Sequence, residues 1–170
     1  SRGYGGNLHG PVRVDPAIHK ARDVGDEPLL LARAGPTIIA RGRAQGAALA
    51  IANGANAIVM DDGFQNPSLQ KDVSLIVVDA ARGLGNGEVF PAGPLRAPLD
   101  VQLSRTDALI VIGERTGADV LIAQARARGI VLFRANIVAD TDAAARLRGQ
   151  RVLAFTGIGD PMRFFETLRN

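Results

Sequence analysis

Short apolar runs recur along the chain, each bounded by Gly, Pro, Asn or Asp, at residues 37–40, 57–60, 74–78, 106–112, 130–134 and 151–155. None alternates apolar with polar, so each reads as a strand buried on both faces rather than one half in water. Between them lie stretches with helical spacing: from Glu27 or Pro28 to Ala34, residues 42–53 closed by Asn53-Gly54, residues 118–128 stopped by Gly129, a short helix to Leu147 capped by Asp140 or Thr141, and a helix opening on Pro161. Strands and helices in alternation predict an α/β fold: a doubly wound, mostly parallel sheet with helices on both faces. Residues 1–36 read mostly as loop. Residues 80–105 form one long irregular stretch rich in Gly and Pro, of a length that is often functional.

Composition supports this architecture and narrows the chemistry. Of 170 residues 46% are hydrophobic but only 4% aromatic, with no Trp, so the core has to be built from Ala, Val, Ile and Leu. The net charge is +3, yet of the 20 basic residues only Lys20 and Lys71 are lysine, and the arginines are scattered without interleaved aromatics. That pattern argues for a solvated basic surface, not a nucleic-acid site, and leaves room for contact with an anionic membrane. The absence of Cys excludes disulfides, thiolate metal sites and cysteine nucleophiles. No apolar run reaches the length of about 18 residues that a spanning helix needs. The chain opens on Ser1 directly into a glycine-rich loop and stops at Asn170 soon after a helix begins, and the expectation is the central piece of a longer protein.

Ligands of open α/β sheets bind beyond the carboxyl ends of the strands. Three predicted strand ends qualify. Residues 57–60 lead into Asp61-Asp62, the form of a magnesium-positioning carboxylate and equally of an ordinary turn. Asp79 leads into Gly83, Gly85 and Gly87, which can admit a phosphate or simply loosen a loop. Thr156-Gly157-Ile158-Gly159-Asp160-Pro161 can aim a helix N-terminus at an anion or make a plain tight connection. Before the first predicted helix stand two adjacent acids, Asp26 and Glu27. One is explained as a cap; either can serve as a general base toward a sugar hydroxyl. His9 and His19 have no partner at metal-ligand spacing and read as surface residues. No nucleophile elbow occurs, and the Gly-x-x-x-x-Gly-Lys-Ser/Thr phosphate loop is absent from these residues.

Taken in order, Ser1-Arg2-Gly3-Tyr4-Gly5-Gly6, Gly25-Asp26-Glu27-Pro28-Leu29-Leu30, Asp61-Asp62-Gly63-Phe64-Gln65, Gly85-Asn86-Gly87, Pro91-Ala92-Gly93-Pro94-Leu95-Arg96 and Gly157-Ile158-Gly159-Asp160-Pro161 closely resemble the tetraacyldisaccharide 4'-kinase (lipid A 4'-kinase) family over essentially the whole chain. The resemblance implies a P-loop NTPase-like core, here one partial kinase domain spanning residues 1–170. It implies transfer of the γ-phosphate of ATP, with Mg²⁺, to the 4'-hydroxyl of an acylated glucosamine disaccharide 1-phosphate, at the cytoplasmic face of the bacterial inner membrane. It assigns Asp61 and Asp62 to the metal, and the same two residues with Gln65 to the nucleotide. Asp26 becomes the general base, Arg96 a partner of the phosphates, and Tyr4 and Glu27 neighbours of the lipid substrate. Ala97 and Asn66 depart from the family, which often has Glu and His there. With the phosphate loop expected upstream of Ser1, these residues alone are expected to be inactive; the rival reading is a non-catalytic nucleotide- or phosphate-binding α/β module.

Overall fold

The computed structural model describes residues 1–158 and 161–169. They fall into two compact units divided between Asp72 and Val73.

The first unit carries β1 (Val12–Arg13), α1 (Ala21–Val24), α2 (Asp26–Ala34), β2 (Ile38–Ile39) and α3 (Arg43–Ala52). β1 and β2 pair antiparallel, Val12 opposite Ile39 and Arg13 opposite Ile38. Val14, Val24 and Ile39 form the buried centre, with Val12, Leu29 and Ala32 packed against it. Fully burying side chains of this size is worth about 1.5–3 kcal/mol each. α3 approaches β2 closely because Gly46 lacks a side chain: a Cβ there would stand 2.8 Å from the Cβ of Ala40.

The second unit contains β3 (Leu75–Asp79), α4 (Leu99–Leu103), β4 (Ala108–Ile112), α5 (Asp119–Ala127), β5 (Val131–Ala135), α6 (Thr141–Leu147) and α7 (Pro161–Arg169). The three strands form a parallel sheet in the order β3-β4-β5, with Val77, Ile110 and Phe133 in register across it. Asp107 fastens the entry to β3, its carboxylate accepting from the Ser74 amide at 2.7 Å. One face of the sheet, bearing Ile76, Val78, Leu109, Val111 and Leu132, is covered by Leu103 of α4 and by Leu121, Ile122 and Ala125 of α5. The other face stays open: Val77 is 58% exposed and Phe133 54%.

The α/β character and the parallel pairing agree with the apolar pattern, but a helical layer covers only one face of this sheet among the described residues. Two expected strands do not form. Residues 57–60 are irregular, with Val59 95% exposed, and residues 151–155 are likewise irregular, with Leu153 90% exposed. A parallel strand is held by ladder bonds to a neighbour and by burial on both faces, and neither segment has them here. The helix expected at 42–53 appears as α3, and that at 118–128 as α5 led in by a 3₁₀ turn at Thr116–Ala118. Asp140 caps α6, its carboxylate accepting from the Ala143 amide at 2.7 Å. α1 and α4, each about one turn long, have no signal in the apolar spacing.

Candidate functional site

Three of the sequence motifs meet in the first unit. The loop Ser1–Gly6 is bound to the chain around α1: the Asn7 amide donates to the Arg22 carbonyl at 2.9 Å and the Leu8 amide to the Asp23 carbonyl at 2.8 Å. The contact is so close that a Cβ on Gly6 would lie 2.6 Å from the Val24 carbonyl carbon. Gly25, at φ +89°, forms the corner between α1 and α2 and passes under the Tyr4 carbonyl, where a Cβ would come within 2.5 Å of the oxygen. Tyr4 itself projects outward, 91% exposed.

The cap of α2 is Gly25, and the capping role expected of one of the acids falls away: Asp26 and Glu27 both lie in the first helical turn, without a side-chain capping bond. There they face the positive end of the helix dipole, which favours their charge. Asp26 is exposed at the rim of the corner. Glu27 reaches the third motif, where its carboxyl is hydrogen-bonded to the side chain of Asp61. That bond, followed by partial desolvation and the negative charge of Asp61, holds the Glu27 proton and pushes its pKa up to about 7.

Asp61 and Asp62 sit on a tight turn. Asp62 adopts φ +50°, the one non-glycine residue with positive φ among those described. Gly63 is buried against Met60, whose Cβ would be 2.7 Å from an added one. Arg43, in the first turn of α3, donates from Nη2 to the Asp61 carbonyl at 3.3 Å. A cavity of about 560 Å³ opens beside this turn, lined among others by Thr37, Ile38, Arg43, Ala47, Met60 and Asp61. Gln65 lies exposed on the same turn, past Gly63. Sequence reasoning missed Arg43: inside an Ala-rich helix a lone arginine reads as a solvated residue, and only burial distinguishes it.

The second unit joins two further motifs in one loop. The Asn86 side-chain amide donates to the Ala92 carbonyl at 2.8 Å, while its oxygen accepts from the Glu88 amide at 3.1 Å. The Phe90 amide donates to the Leu95 carbonyl at 2.8 Å, and the Leu95 amide to the Glu88 carbonyl at 3.0 Å. Gly93 fits only because it has no Cβ, since one would run into Asn86 and Glu88. Gly85-Asn86-Gly87 and Pro91 to Arg96 are therefore a single folded loop, with Arg96 exposed on it.

The glycines after Asp79 are used mainly by the chain itself. Gly83 packs against the backbone of Gly117 and Gly85 against the ring of Pro94; only Gly87 has open space around it. Asp79 accepts from the Ala81 amide at 2.7 Å in a local turn. Of the last motif, Gly159 and Asp160 lie outside the described residues, and α7 does start at Pro161.

Among the described residues no three His, Cys, Asp or Glu side chains gather into a metal cage. Asp61 and Asp62, two adjacent carboxylates on one turn, could hold a hard divalent ion of the kind that keeps water and takes its remaining ligands from phosphate.

The family profile described as Tetraacyldisaccharide-1-P 4'-kinase (LpxK) matches residues 1–170. The chain is 61% identical over 170 residues to a tetraacyldisaccharide 4'-kinase of Rhodopseudomonas palustris (strain ATCC BAA-98 / CGA009), which covers all of this chain and 50% of that protein. It is 62% identical over 169 residues to the same-named protein of Nitrobacter winogradskyi, covering 99% of this chain and 50% of the relative. For the one from Bradyrhizobium sp. (strain BTAi1 / ATCC BAA-1182) the identity is 61%, covering 99% of the chain and 49% of the relative. The chain thus spans about half the length of the curated relatives it matches. No solved structure matches it.

Proposed function

Since the chain belongs to the tetraacyldisaccharide-1-P 4'-kinase family, we propose that the full-length protein transfers the γ-phosphate of ATP to the 4'-hydroxyl of a tetraacylated glucosamine disaccharide 1-phosphate. The observation that carries this reading is the pairing of two motifs in the first unit: Glu27, next to Asp26 in the first turn of α2, is hydrogen-bonded to Asp61 of the Asp-Asp turn.

Each residue then has a task. Asp61 and Asp62 hold the magnesium of the nucleotide, with Gln65 beside them; bound there, the ion neutralises charge on the phosphates. Asp26, exposed and one residue from the Gly25 corner, takes the proton of the attacking hydroxyl. Glu27 keeps its own proton near neutrality and is a hydrogen-bond donor to the sugar or to Asp61. Tyr4 offers an exposed ring to the lipid substrate, and Arg96 offsets charge developing on the transferred phosphoryl group.

Both units belong, on this reading, to one P-loop NTPase-like kinase domain with a doubly wound sheet. The open face of β3-β4-β5 is covered by a second helical layer of the full-length protein. No helix among the described residues is long and apolar enough to cross a membrane, and the proposed place of work is the cytoplasmic face of the inner membrane, where the acylated substrate resides.

The test uses the full-length protein with γ-labelled ATP and the lipid disaccharide. Wild type is expected to label the lipid, and Asp62→Ala to lower turnover by about 10²–10³-fold, the scale on which lost charge stabilisation is felt. Wild-type rates in that variant would return Asp61 and Asp62 to a turn role. ATP binding by the unmutated protein without any transfer would support the nucleotide-binding module instead.

A further inference from the structure

Arg43 is only 8% exposed, although arginine is rarely so buried without a full set of partners. Its Nη2 donates to the Asp61 carbonyl, while its Nε is shut off from solvent with no hydrogen-bond partner. An orphaned donor on a permanent charge costs stability, and an apolar side chain of similar length would pack there without that cost. Gly46, three residues on, lets α3 lie close against Ala40, whose Cβ an added one would meet at 2.8 Å. The residue Arg43 touches belongs to the turn whose backbone, with Asp62 at φ +50° and Gly63 wedged on Met60, sets the direction of two adjacent carboxylates.

We propose that Arg43 is a positioning residue: by donating to the Asp61 carbonyl from its buried place in the first turn of α3 it fixes the turn at residues 60–63, so that Asp61 and Asp62 present their carboxylates together to a divalent cation. This rests on the kinase reading, in which that cation accompanies the nucleotide. Outer partners that orient ligand groups typically change metal affinity by about 10–100-fold when removed.

The experiment is Mn²⁺ binding to the full-length protein with ADP, followed by electron paramagnetic resonance, beside melting temperature and lipid phosphorylation. Arg43→Met is expected to weaken Mn²⁺ about 10-fold while melting at or above the wild-type temperature. Arg43→Lys, whose ammonium can donate to the same carbonyl, is expected to recover most of the affinity. Ile38→Val, a trimmed wall of the same cavity, lowers the melting temperature without moving Mn²⁺ affinity. Wild-type Mn²⁺ affinity in Arg43→Met overturns the proposal, and so does a loss that merely tracks melting temperature across all three variants. Should Arg43→Met not fold, Arg43→Leu, which likewise has no donor, takes its place in the same comparison. A wild-type protein that phosphorylates no lipid, yet binds Mn²⁺ in an Arg43-dependent way, removes the kinase reading and leaves this one standing; normal phosphorylation with Arg43-independent Mn²⁺ binding does the reverse.

Discussion

Glu27 shows how far one contact can move a side chain from its ordinary chemistry. On the first turn of α2 the helix dipole alone favours its charged form, but the hydrogen bond to Asp61 and the neighbouring negative charge win, and the proton is held until about pH 7. The consequence for stability has a definite sign. Below pH 4.5 both the folded and the unfolded chain carry the proton. Between 4.5 and about 7 the unfolded chain releases it while the folded chain retains it, so the folded state binds more protons and stability falls as pH rises, levelling off above about 7. Glu27→Gln keeps a donor toward Asp61 and removes the titration. Melting temperatures of the full-length protein from pH 4 to 8, wild type against Glu27→Gln, should therefore differ in slope across that window, with the variant flatter. Parallel curves would show that Glu27 and Asp61 do not share a proton. The adjacency of two acids in Gly-Asp-Glu-Pro was legible in the sequence; the pairing of one of them with an acid 34 positions away was not, because nothing local encodes it.

The elements that the sequence made legible are those held by their own composition. α3 is Ala-rich and stops at Asn53, α6 has its Asp140 cap, and β4 is apolar throughout with Ala108, Leu109 and Val111 buried. Residues 57–60 carry the same apolar signal as β4 and form no strand, because a parallel strand exists only where another strand's edge receives it, and that edge is not visible in a window of four residues. The corner between α1 and α2 is a different case: Gly25 is legible as a glycine, but its reason lies in the loop that passes over it. Gly25 and Gly54 separate the two costs a side chain can bring. Both have positive φ, +89° and +83°, but Gly54 has open space around it while Gly25 has the Tyr4 carbonyl. Gly54→Ala should cost about 1–2 kcal/mol from backbone strain alone. Gly25→Ala should cost clearly more, about 2–4 kcal/mol, since the chain must also move apart. Denaturant titration of the two variants measures the difference, and equal losses would mean that the Ser1–Gly6 loop does not lie against this corner.

At the scale of the whole molecule the sheet of the second unit poses the largest question. Its covered face buries Leu109 and Val111 under α5. Its other face carries Leu75, Val77, Val131 and Phe133, each about half exposed. Parallel sheets occur almost only with both faces covered, and the curated relatives are about twice as long as this chain. Under the doubly wound reading Phe133 is a core residue of the full-length protein, and Phe133→Ala there should cost about 3–5 kcal/mol, the range for emptying a buried aromatic site. Leu109→Ala, on the face already covered, should cost about 2–5 kcal/mol and serves as the yardstick. If the open face instead remains in water, Phe133→Ala should change stability by no more than about 0.5 kcal/mol. Unfolding free energies of the two full-length variants thus decide whether the unalternating apolar strands pack under a second layer that the rest of the protein supplies.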